Sequence, residues 1–322
     1  MQIITSNSAE RLFEELATEL STPLQDPLRP EAIVVPSLTL GRWLSHAFVR
    51  RWGICANTQM PFPDAFVRGL AALLPASVVP GAPLVPDEET LTWRIAEVLP
   101  GLLSEPGFEG ASGYVMADRA SEAERALRTV ELAAKLASVL DTLLHHRSAW
   151  VAGWANLGES PQNDGGDTRM FAALYQACFG SGALLSPSAQ RDALVNALVT
   201  GALPNHVLPE RVSVFLVSSL APSHLPVYRA LARRVPVRFF LLTAGDPAAG
   251  SGAHPLAASL GQRTDALFSE LMGLEGSTHQ HLESPPLAPE TLLGALQAAL
   301  RGGAPSALET LTLAQAEQRV DP

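Results

Sequence analysis

The residues best equipped for chemistry sit in two serine loops, in a few histidine and carboxylate pairs, and at two cysteines. At the N-terminus a short apolar segment over residues 2–5 reads as a strand, Ser6-Asn7-Ser8 as a polar loop, and residues 9–20 as a helix. A nucleotide-binding fold places its phosphate loop at this position. Such a loop needs glycines, so that backbone N–H groups can surround the phosphates, and a lysine to reach the outer ones. Ser6-Asn7-Ser8 has neither, and Lys135, the single lysine of the chain, lies deep inside a predicted helix. The later apolar run Val214-Phe215-Leu216-Val217 is the kind of strand that presents a magnesium-binding Asp-Glu pair in ATPases, yet Ser218-Ser219 stands at its end. A serine hydroxyl does not replace a carboxylate at a hard cation. Ser6, Asn7, Ser8, Ser218 and Ser219 therefore read as a degenerate nucleotide site, with no nucleotide cofactor expected.

Other catalytic readings are weaker. The histidines include His145-His146 and His279-x-His281, and the sequence places no carboxylate or cysteine beside them at metal-ligand spacing, so they read as hydrated surface residues and no metal is expected. Glu14-Glu15 and Glu88-Glu89 read as helix-surface pairs rather than as acid and base of a hydrolase. Gly180-Ser181-Gly182 is a loop, not a nucleophile elbow, and Cys55 in Gly53-Ile54-Cys55-Ala56 reads as a small buried hydrophobe. Two cysteines make neither a disulfide framework nor a four-ligand zinc site.

The elements that would position these groups follow from length, composition and periodicity. A chain of 322 residues with 47% hydrophobic and 17% charged residues has ample material for packed cores and is long enough for about two domains. Its 26 prolines and 24 glycines punctuate apolar segments without forming repeats. No apolar run approaches the roughly 18 residues of a membrane helix, and the N-terminus lacks the pattern of a signal peptide. A soluble cytoplasmic protein with no membrane partner is expected. Lys and Arg total 22 against 32 Asp and Glu, a net charge of −10. So acidic a chain binds nucleic acid poorly through its overall charge, and any DNA contact must come from a local patch.

Periodicity gives an α/β start, a helical middle, an α/β return and a looser tail. Asn7 followed by Glu10 fits a capping box on the first helix. The continuous apolar run Ala32-Ile33-Val34-Val35 predicts a strand covered on both faces. Beyond Pro36-Ser37-Leu38-Thr39, apolar residues at Leu40, Trp43, Leu44, Ala47 and Phe48 give one helical stripe and leave Arg42, Ser45, His46 and Arg50 outward. Helices are predicted from Pro86, over 121–144, 167–178 and 188–200, with Asn163-Asp164-Gly165-Gly166-Asp167 as a surface loop. Strand 212–217, helix 224–234 and strand 237–242 follow, and then a helix over 290–300. The fold class is thus α/β, a parallel-sheet domain with an inserted all-helical subdomain. The expected organisation is 1–85 for the first part of the sheet lobe, 86–205 for the helical insertion, 206–275 for the second part of the lobe, and 276–322 for a helical and loop tail.

These residues carry a resemblance. Pro30-Glu31-Ala32-Ile33-Val34-Val35-Pro36-Ser37 and Arg42-Trp43-Leu44 resemble the start of the RecC family, the gamma subunits of exodeoxyribonuclease V. So do Trp52-Gly53-Ile54-Cys55-Ala56-Asn57-Thr58-Gln59-Met60-Pro61-Phe62-Pro63 with Phe66, and Thr5-Ser6-Asn7, His146-Arg147-Ser148-Ala149-Trp150 and Ser218-Ser219-Leu220-Ala221-Pro222. The resemblance runs intermittently along the chain and covers the opening portion of such a subunit. Val320-Asp321-Pro322 falls near the start of the family's second helicase-like half, which implies that the 322 residues are part of a longer subunit. The implied fold is the RecA-like lobe of a superfamily 1 helicase that has lost its ATPase motifs. The implied role is non-catalytic: the subunit guides the 3′-ended single strand, scans it for the Chi signal, and holds RecB-like and RecD-like partners on single-stranded or forked DNA in double-strand break repair.

Active relatives touch single-stranded DNA at the loop after the second strand, which makes Ser37, Leu38, Thr39 and Arg42 the implied contacts. Phe62 would either stack on a base or fill the core, Arg68 follows six residues later, and Asp141 and Arg147 align with strand-facing positions or form a helix-surface pair or cap. Pro36 and Leu38 stand where polar, base-reading residues are expected, and Arg68 where an aromatic is expected, so the implied channel need not read the same Chi sequence. An AddB-like subunit is the nearest alternative, weakened by the missing phosphate loop. A protein-binding module without DNA contact and a free-standing enzyme remain as other classes. Whether side chains fill the space at Ser6–Ser8 and Ser218–Ser219 separates the inactive-helicase reading from the enzyme.

Overall fold

Apolar strands that feed a parallel sheet must be covered on both faces, and the apolar runs at 32–35, 214–217 and 239–242 belong to such strands or their ends. The computed structural model describes residues 1–75, 85–117, 121–155, 166–248 and 255–283. The described chain divides into two compact units, one formed by Met1–Gly69, Pro204–Leu220 and Tyr228–Pro322, the other by Leu70–Leu203 and Ala221–Val227.

The first unit carries β1 (Gln2–Ser6), α1 (Ala9–Leu20), β2 (Glu31–Val34), α2 (Leu38–Trp52), β3 (Thr58–Gln59) and most of α3 (Pro63–Ala71). The chain re-enters it for β4 (Val212–Phe215) and, after the second unit, for the later part of α10 (Leu225–Ala232), β5 (Val237–Leu242), α11 (Pro255–Met272) and β6 (Thr278–His281). The strands form one six-stranded sheet in the order β3-β2-β4-β5-β1-β6, and every neighbouring pair is parallel. All strands therefore end at the same edge, where α/β folds collect their functional loops.

Alternation sends Ile4, Ile33, Val35, Phe215 and Phe240 into one apolar cluster with Leu12, Phe13, Leu16 and Ala17 of α1 and Leu44, Ala47 and Phe48 of α2. Phe13 meets Trp43 edge-on at 5.8 Å and tilts against Phe48 at 5.3 Å. Elsewhere in the unit Tyr228 stacks on Phe66 at 5.8 Å and meets Phe239 edge-on at 5.4 Å. Tyr228 is wholly buried, and burial pushes its hydroxyl pKa well up.

The second unit holds α4 (Glu88–Leu102), α5 (Glu109–Val115), α6 (Glu122–His146), α7 (Ser148–Ala155), α8 (Gly166–Phe179) and α9 (Pro187–Thr200). Leu91, Ile95 and Leu99 of α4, Leu136, Leu140 and Leu144 of α6, and Leu174 and Cys178 of α8 share one core. Burial pushes the Cys178 thiol up to about 11, as expected of a thiol that serves as a small hydrophobe. Ser121 and Glu124 cap α6 reciprocally, and the buried Arg191 of α9 donates to the Leu144 carbonyl at 2.9 Å, near the negative end of α6.

Several expectations are corrected. The cap of α1 is Ser8, which accepts from the Arg11 N–H at 3.2 Å, not Asn7; Glu10 accepts from the Ser8 hydroxyl instead of closing a box on the backbone. Cys55 is half-buried, not buried. Strand β4 stops at Phe215, because Leu216 adopts φ of 52° and breaks the extended run. Gly166 and Asp167, expected in a loop, open α8. The tail begins with a strand, β6, whose polar sequence Thr-His-Gln-His hid it from an apolar-run criterion. The helix expected over 290–300 lies outside the described residues.

One ion pair ties the early elements together. Arg211, just before β4, donates through Nε to Glu31 Oε2 at 3.0 Å and through Nη2 to Glu31 Oε1, at the start of β2. The same guanidinium donates to the carbonyls of Glu19 at 3.2 Å and Thr22 at 2.7 Å, where α1 ends. Both side chains are mostly buried, and the bond to Glu31 raises the Arg211 pKa further. Removing the cation leaves the Glu31 carboxylate and the Thr22 carbonyl without this donor and the Glu19 carbonyl with the Thr22 N–H alone. Arg211→Ala should cost about 2–4 kcal/mol in urea unfolding, and Arg211→Lys should recover only part of it because an ammonium lacks the fork geometry.

Candidate functional site

The carboxyl edge of β2 assembles most of the implied contact residues. The Val35 N–H donates to the Pro61 carbonyl at 3.0 Å, so the chain leaving β2 and the chain leaving β3 run side by side off the sheet. A Cβ at Gly41 would lie 3.6 Å from Met60 Sδ, and Ser45 Oγ sits 4.0 Å from the same sulfur, so the first turns of α2 pack on this segment. Ser37, Leu38, Thr39 and Phe62 thus emerge together. Ser37 caps α2 by accepting from the Leu40 N–H at 3.2 Å, and Ser37, Leu38 and Thr39 are all exposed, Leu38 at 60%.

Arg42 points outward one turn into α2 and makes no ion pair or side-chain hydrogen bond among the described residues. Continuing down the same face, His46 and Arg50 follow at helical spacing and are also exposed. Phe62 is 47% exposed, which removes the core alternative and leaves its ring open to solvent beside the helix start. Arg68 is exposed on α3 but is held by Asp64 at 3.0 Å, four residues back. The arrangement offers an unpaired guanidinium, a free aromatic face and a helix N-terminus, groups that suit phosphate and base respectively.

The degenerate nucleotide site divides. Ser6 is fully buried, its hydroxyl donating to the Leu282 carbonyl at 2.8 Å and accepting from the Ser8 N–H at 3.2 Å. The Ser6 carbonyl accepts from the Thr243 N–H at 2.9 Å, and the Thr5 carbonyl from the Leu282 N–H at 2.8 Å, so the polar groups at the end of β1 are committed on both sides to the flanking strands' continuations. Asn7 is half-buried. Ser218 and Ser219, after β4, are exposed, and β4 stands two positions along the sheet from β1 with β5 between them.

Asp141 and Arg147 belong to the second unit. They do not pair with each other: the His145 ring donates from Nδ1 to the Asp141 carbonyl at 2.8 Å and lies 3.5 Å from its carboxylate. Arg147 is the residue closing α6, exposed, with its guanidinium 5.4 Å from the centre of the Trp150 ring.

Sequence reasoning passed over three residues. Asn57 has φ of 53°, a left-handed conformation that asparagine tolerates, and its amide donates to the carbonyls of Pro27 at 3.0 Å and Arg29 at 2.7 Å while its own carbonyl accepts from the Glu31 N–H at 2.9 Å. Together with Gly53, which caps α2 at φ of 80°, it explains the Gly-Ile-Cys-Ala-Asn segment as a backbone device. Leu216, also left-handed, turns the chain out of β4 just before Ser218. Asp246, in the loop after β5, approaches His279 Nε2 at 3.9 Å, which corrects the reading that no carboxylate accompanies His279-x-His281. An asparagine shortly after the helix-ending Gly53 was a usable signal; the Asp246 approach, across more than thirty residues of chain, was not.

Comparison with known proteins adds a family. A sequence model described as RecC, N-terminal domain, matches residues 1–302. The chain is 26% identical over 239 residues to the RecBCD enzyme subunit RecC of Haemophilus influenzae, a match covering 67% of this chain and 21% of that protein. It is 26% identical over 241 residues to the RecBCD enzyme subunit RecC of Escherichia coli, covering 69% and 20%. Against the RecBCD enzyme subunit RecC of Mycobacterium tuberculosis it is 26% identical over 314 residues, covering 87% and 27%. The aligned chain spans about a fifth to a quarter of the length of these curated relatives.

Two measurements test the site as built. Asn57→Ala should destabilise the chain by about 1–3 kcal/mol in urea, and Asn57→Gly by less, because glycine keeps the left-handed turn and loses only the amide bonds. Mg–ATP at millimolar concentration should leave the thermal midpoint unchanged, since a specific ligand raises it by mass action; a concentration-dependent rise would show a working nucleotide site.

Proposed function

The chain belongs to the RecC family, matching its N-terminal domain, and from that premise we propose that it is the non-catalytic N-terminal part of a RecBCD-type subunit that channels the 3′-ended single strand. In this reading the six-stranded lobe is RecA-like and of superfamily 1 helicase type, with 1–85 and 206–275 as its two parts and 86–205 as a helical insertion. The observation that carries the proposal is the cluster at the carboxyl edge of β2, where the Val35–Pro61 hydrogen bond brings Ser37, Leu38, Thr39, Arg42 and Phe62 to one exposed place. Arg42 would neutralise a phosphate and Phe62 would stack under a base. Arg147, on the helical unit, is a separate candidate phosphate contact, its guanidinium 5.4 Å from the centre of the Trp150 ring. Arg68, already paired with Asp64, contributes less to an electrostatic contact.

The lost ATPase chemistry supports the same reading. The end of β1 spends the Ser6 hydroxyl on the Leu282 carbonyl instead of leaving it for a magnesium-bound phosphate. With no lysine in the loop and serines in place of an acidic pair after β4, the lobe would serve as a strand guide and a platform. RecB-like and RecD-like subunits would be its partners, and exposed Trp93 of α4 and Leu127 of α6 offer apolar surface of the kind a partner covers. With Pro36 and Leu38 at this loop, apolar contact would replace some hydrogen-bond readout, so the signal need not be the familiar Chi sequence.

Fluorescence anisotropy with a labelled single-stranded oligonucleotide, at low and moderate salt, tests this. Binding should weaken with salt, and Arg42→Ala with Arg147→Ala should lower the salt slope by about two contacts' worth. Phe62→Ala should cost roughly 1–3 kcal/mol at all salt concentrations. No binding at low salt, or binding indifferent to all three substitutions, would remove the strand from this part of the subunit and leave partner scaffolding.

A further inference from the structure

Apart from the strand-facing edge, the structure assigns a divalent transition-metal site to Asp246, His279 and His281, a zinc-class clip at the β6 edge of the sheet. The backbone sets two of the three donors. Strand β6 pairs in parallel with β1, with Ile3 opposite His279 and Thr5 opposite His281. The two-residue period of a strand then puts both imidazoles on the face that carries the Thr5 side chain. The third donor arrives from the loop after β5, where the Asp246 carboxylate is fixed by accepting from the Ala248 N–H at 2.9 Å. One nitrogen from each ring and one carboxylate oxygen all fall within 4.8 Å of one another.

Three features favour an ion over a plain hydrogen-bond cluster. Asp246 Oδ1 stands 3.9 Å from His279 Nε2, too far for a hydrogen bond and near enough for both atoms to reach one ion. Tetrahedral zinc with bonds of about 2.0–2.1 Å holds its donors roughly 3.3 Å apart, so the closure required is small and falls mainly on Asp246, the more exposed partner at 34% against 12% for His279. The surroundings are also built. Phe268 of α11 meets the His279 ring edge-on at 4.8 Å and fixes its plane. The fully buried Thr5 hydroxyl lies 2.8 Å from His279 Nε2 and 2.9 Å from His281 Nδ1, so one nitrogen of each ring faces the same point.

Two imidazoles and one carboxylate suit zinc, cobalt or nickel and are a poor match for magnesium or calcium, which prefer all-oxygen shells. The site's work is structural. It would join the edge strand β6 to the loop after β5 across the end of β1, three segments that the chain brings together only once it has folded. The coordination leaves room for a water or the Thr5 hydroxyl as the fourth donor.

The test uses the whole 322-residue chain, stripped with chelator and titrated with ZnCl2 by calorimetry and with CoCl2 by visible absorption. One equivalent should bind, cobalt should give the ligand-field bands of a low-coordinate nitrogen–oxygen site, and zinc should raise the thermal midpoint. His281→Gln and Asp246→Asn should each lower the affinity at least roughly 10–100-fold while leaving the metal-free circular dichroism and midpoint near those of the parent chain. His146→Gln, in the other histidine pair, should leave binding intact. Absence of saturable binding, or binding that survives both His281→Gln and Asp246→Asn, would overturn the assignment. If either variant unfolds, its metal-free spectrum will show it, and the remaining variant with the cobalt spectrum still decides.

Discussion

The structure depends on where β1 is held. The first strand of the chain lies between β5 and β6, pairing Gln2–Ser6 with residues 238–242 on one side and, through Thr5, with residues 278–281 on the other. A strand buried on both sides cannot be satisfied by its local neighbours, because its N–H and C=O groups must find partners more than two hundred residues away. The first unit therefore closes only when the later strands have arrived, and the helical unit sits inside that loop of sequence. Such long-range parallel pairing is intrinsically slow to form. Interactions that pin the returning strands, Arg211 to Glu31 at the amino end of β2 and the Ser6 hydroxyl to Leu282 at the carboxyl end of β1, gain their importance from this closure.

The same closure decides what the carboxyl edge can do. Parallel strands deliver all their following loops to one side, so the ends of β1, β2 and β4 share an edge by topology. At β1 the polar groups are consumed by the flanking strands, and a phosphate would have to displace Ser6 from Leu282 and Thr243. At β2 the groups are free: the helix start carries Ser37 as its cap, and Leu38, Thr39, Arg42 and Phe62 remain in solvent. Within one sheet, the end of β1 is closed by hydrogen bonds, and the loop after β2 is open to solvent. That contrast is what the proposed loss of ATP chemistry with retention of a strand path requires.

Much of this was legible in the sequence, for identifiable reasons. The continuous apolar run at 32–35 announced a strand covered on both faces, and the strand character at 212–217 and 237–242 announced the later strands, though β4 stops at Phe215. The 3.6-residue stripe from Leu40 to Phe48 fixed the buried side of α2, which made Arg42 outward by subtraction. What escaped lacked such a stripe. Strand β6 reads Thr-His-Gln-His, with its inward positions occupied by imidazoles that meet Thr5, so hydropathy is silent about it. Strand β3 is two residues long, and it is an Asn57 turn and a Pro61 carbonyl, not side-chain pattern, that hold it. The Ser8 cap replaced Asn7 because either residue can accept at a helix start, and only the backbone angles choose.

The candidate contacts were visible as residue types but not as a set. Ser37, Leu38, Thr39 and Arg42 are neighbours in sequence; Phe62 joins them only through the hydrogen bond between Val35 and Pro61, which no periodicity encodes. Charge adds a further condition. A chain of net charge −10 repels a polyanion at long range, but screening at physiological salt confines each charge to about 8 Å. At that distance the balance is local. Around the start of α2 the side chains are Arg42, His46 and Arg50 along one exposed face with no acidic residue between Pro36 and Arg51, so the nearest acidic groups in sequence are Glu31 and Asp64. Both are already engaged by arginines, Glu31 by Arg211 and Asp64 by Arg68. The acids nearest in sequence are thus paired with arginines while Arg42 makes no ion pair among the described residues, and that local balance is what the proposed phosphate contact requires.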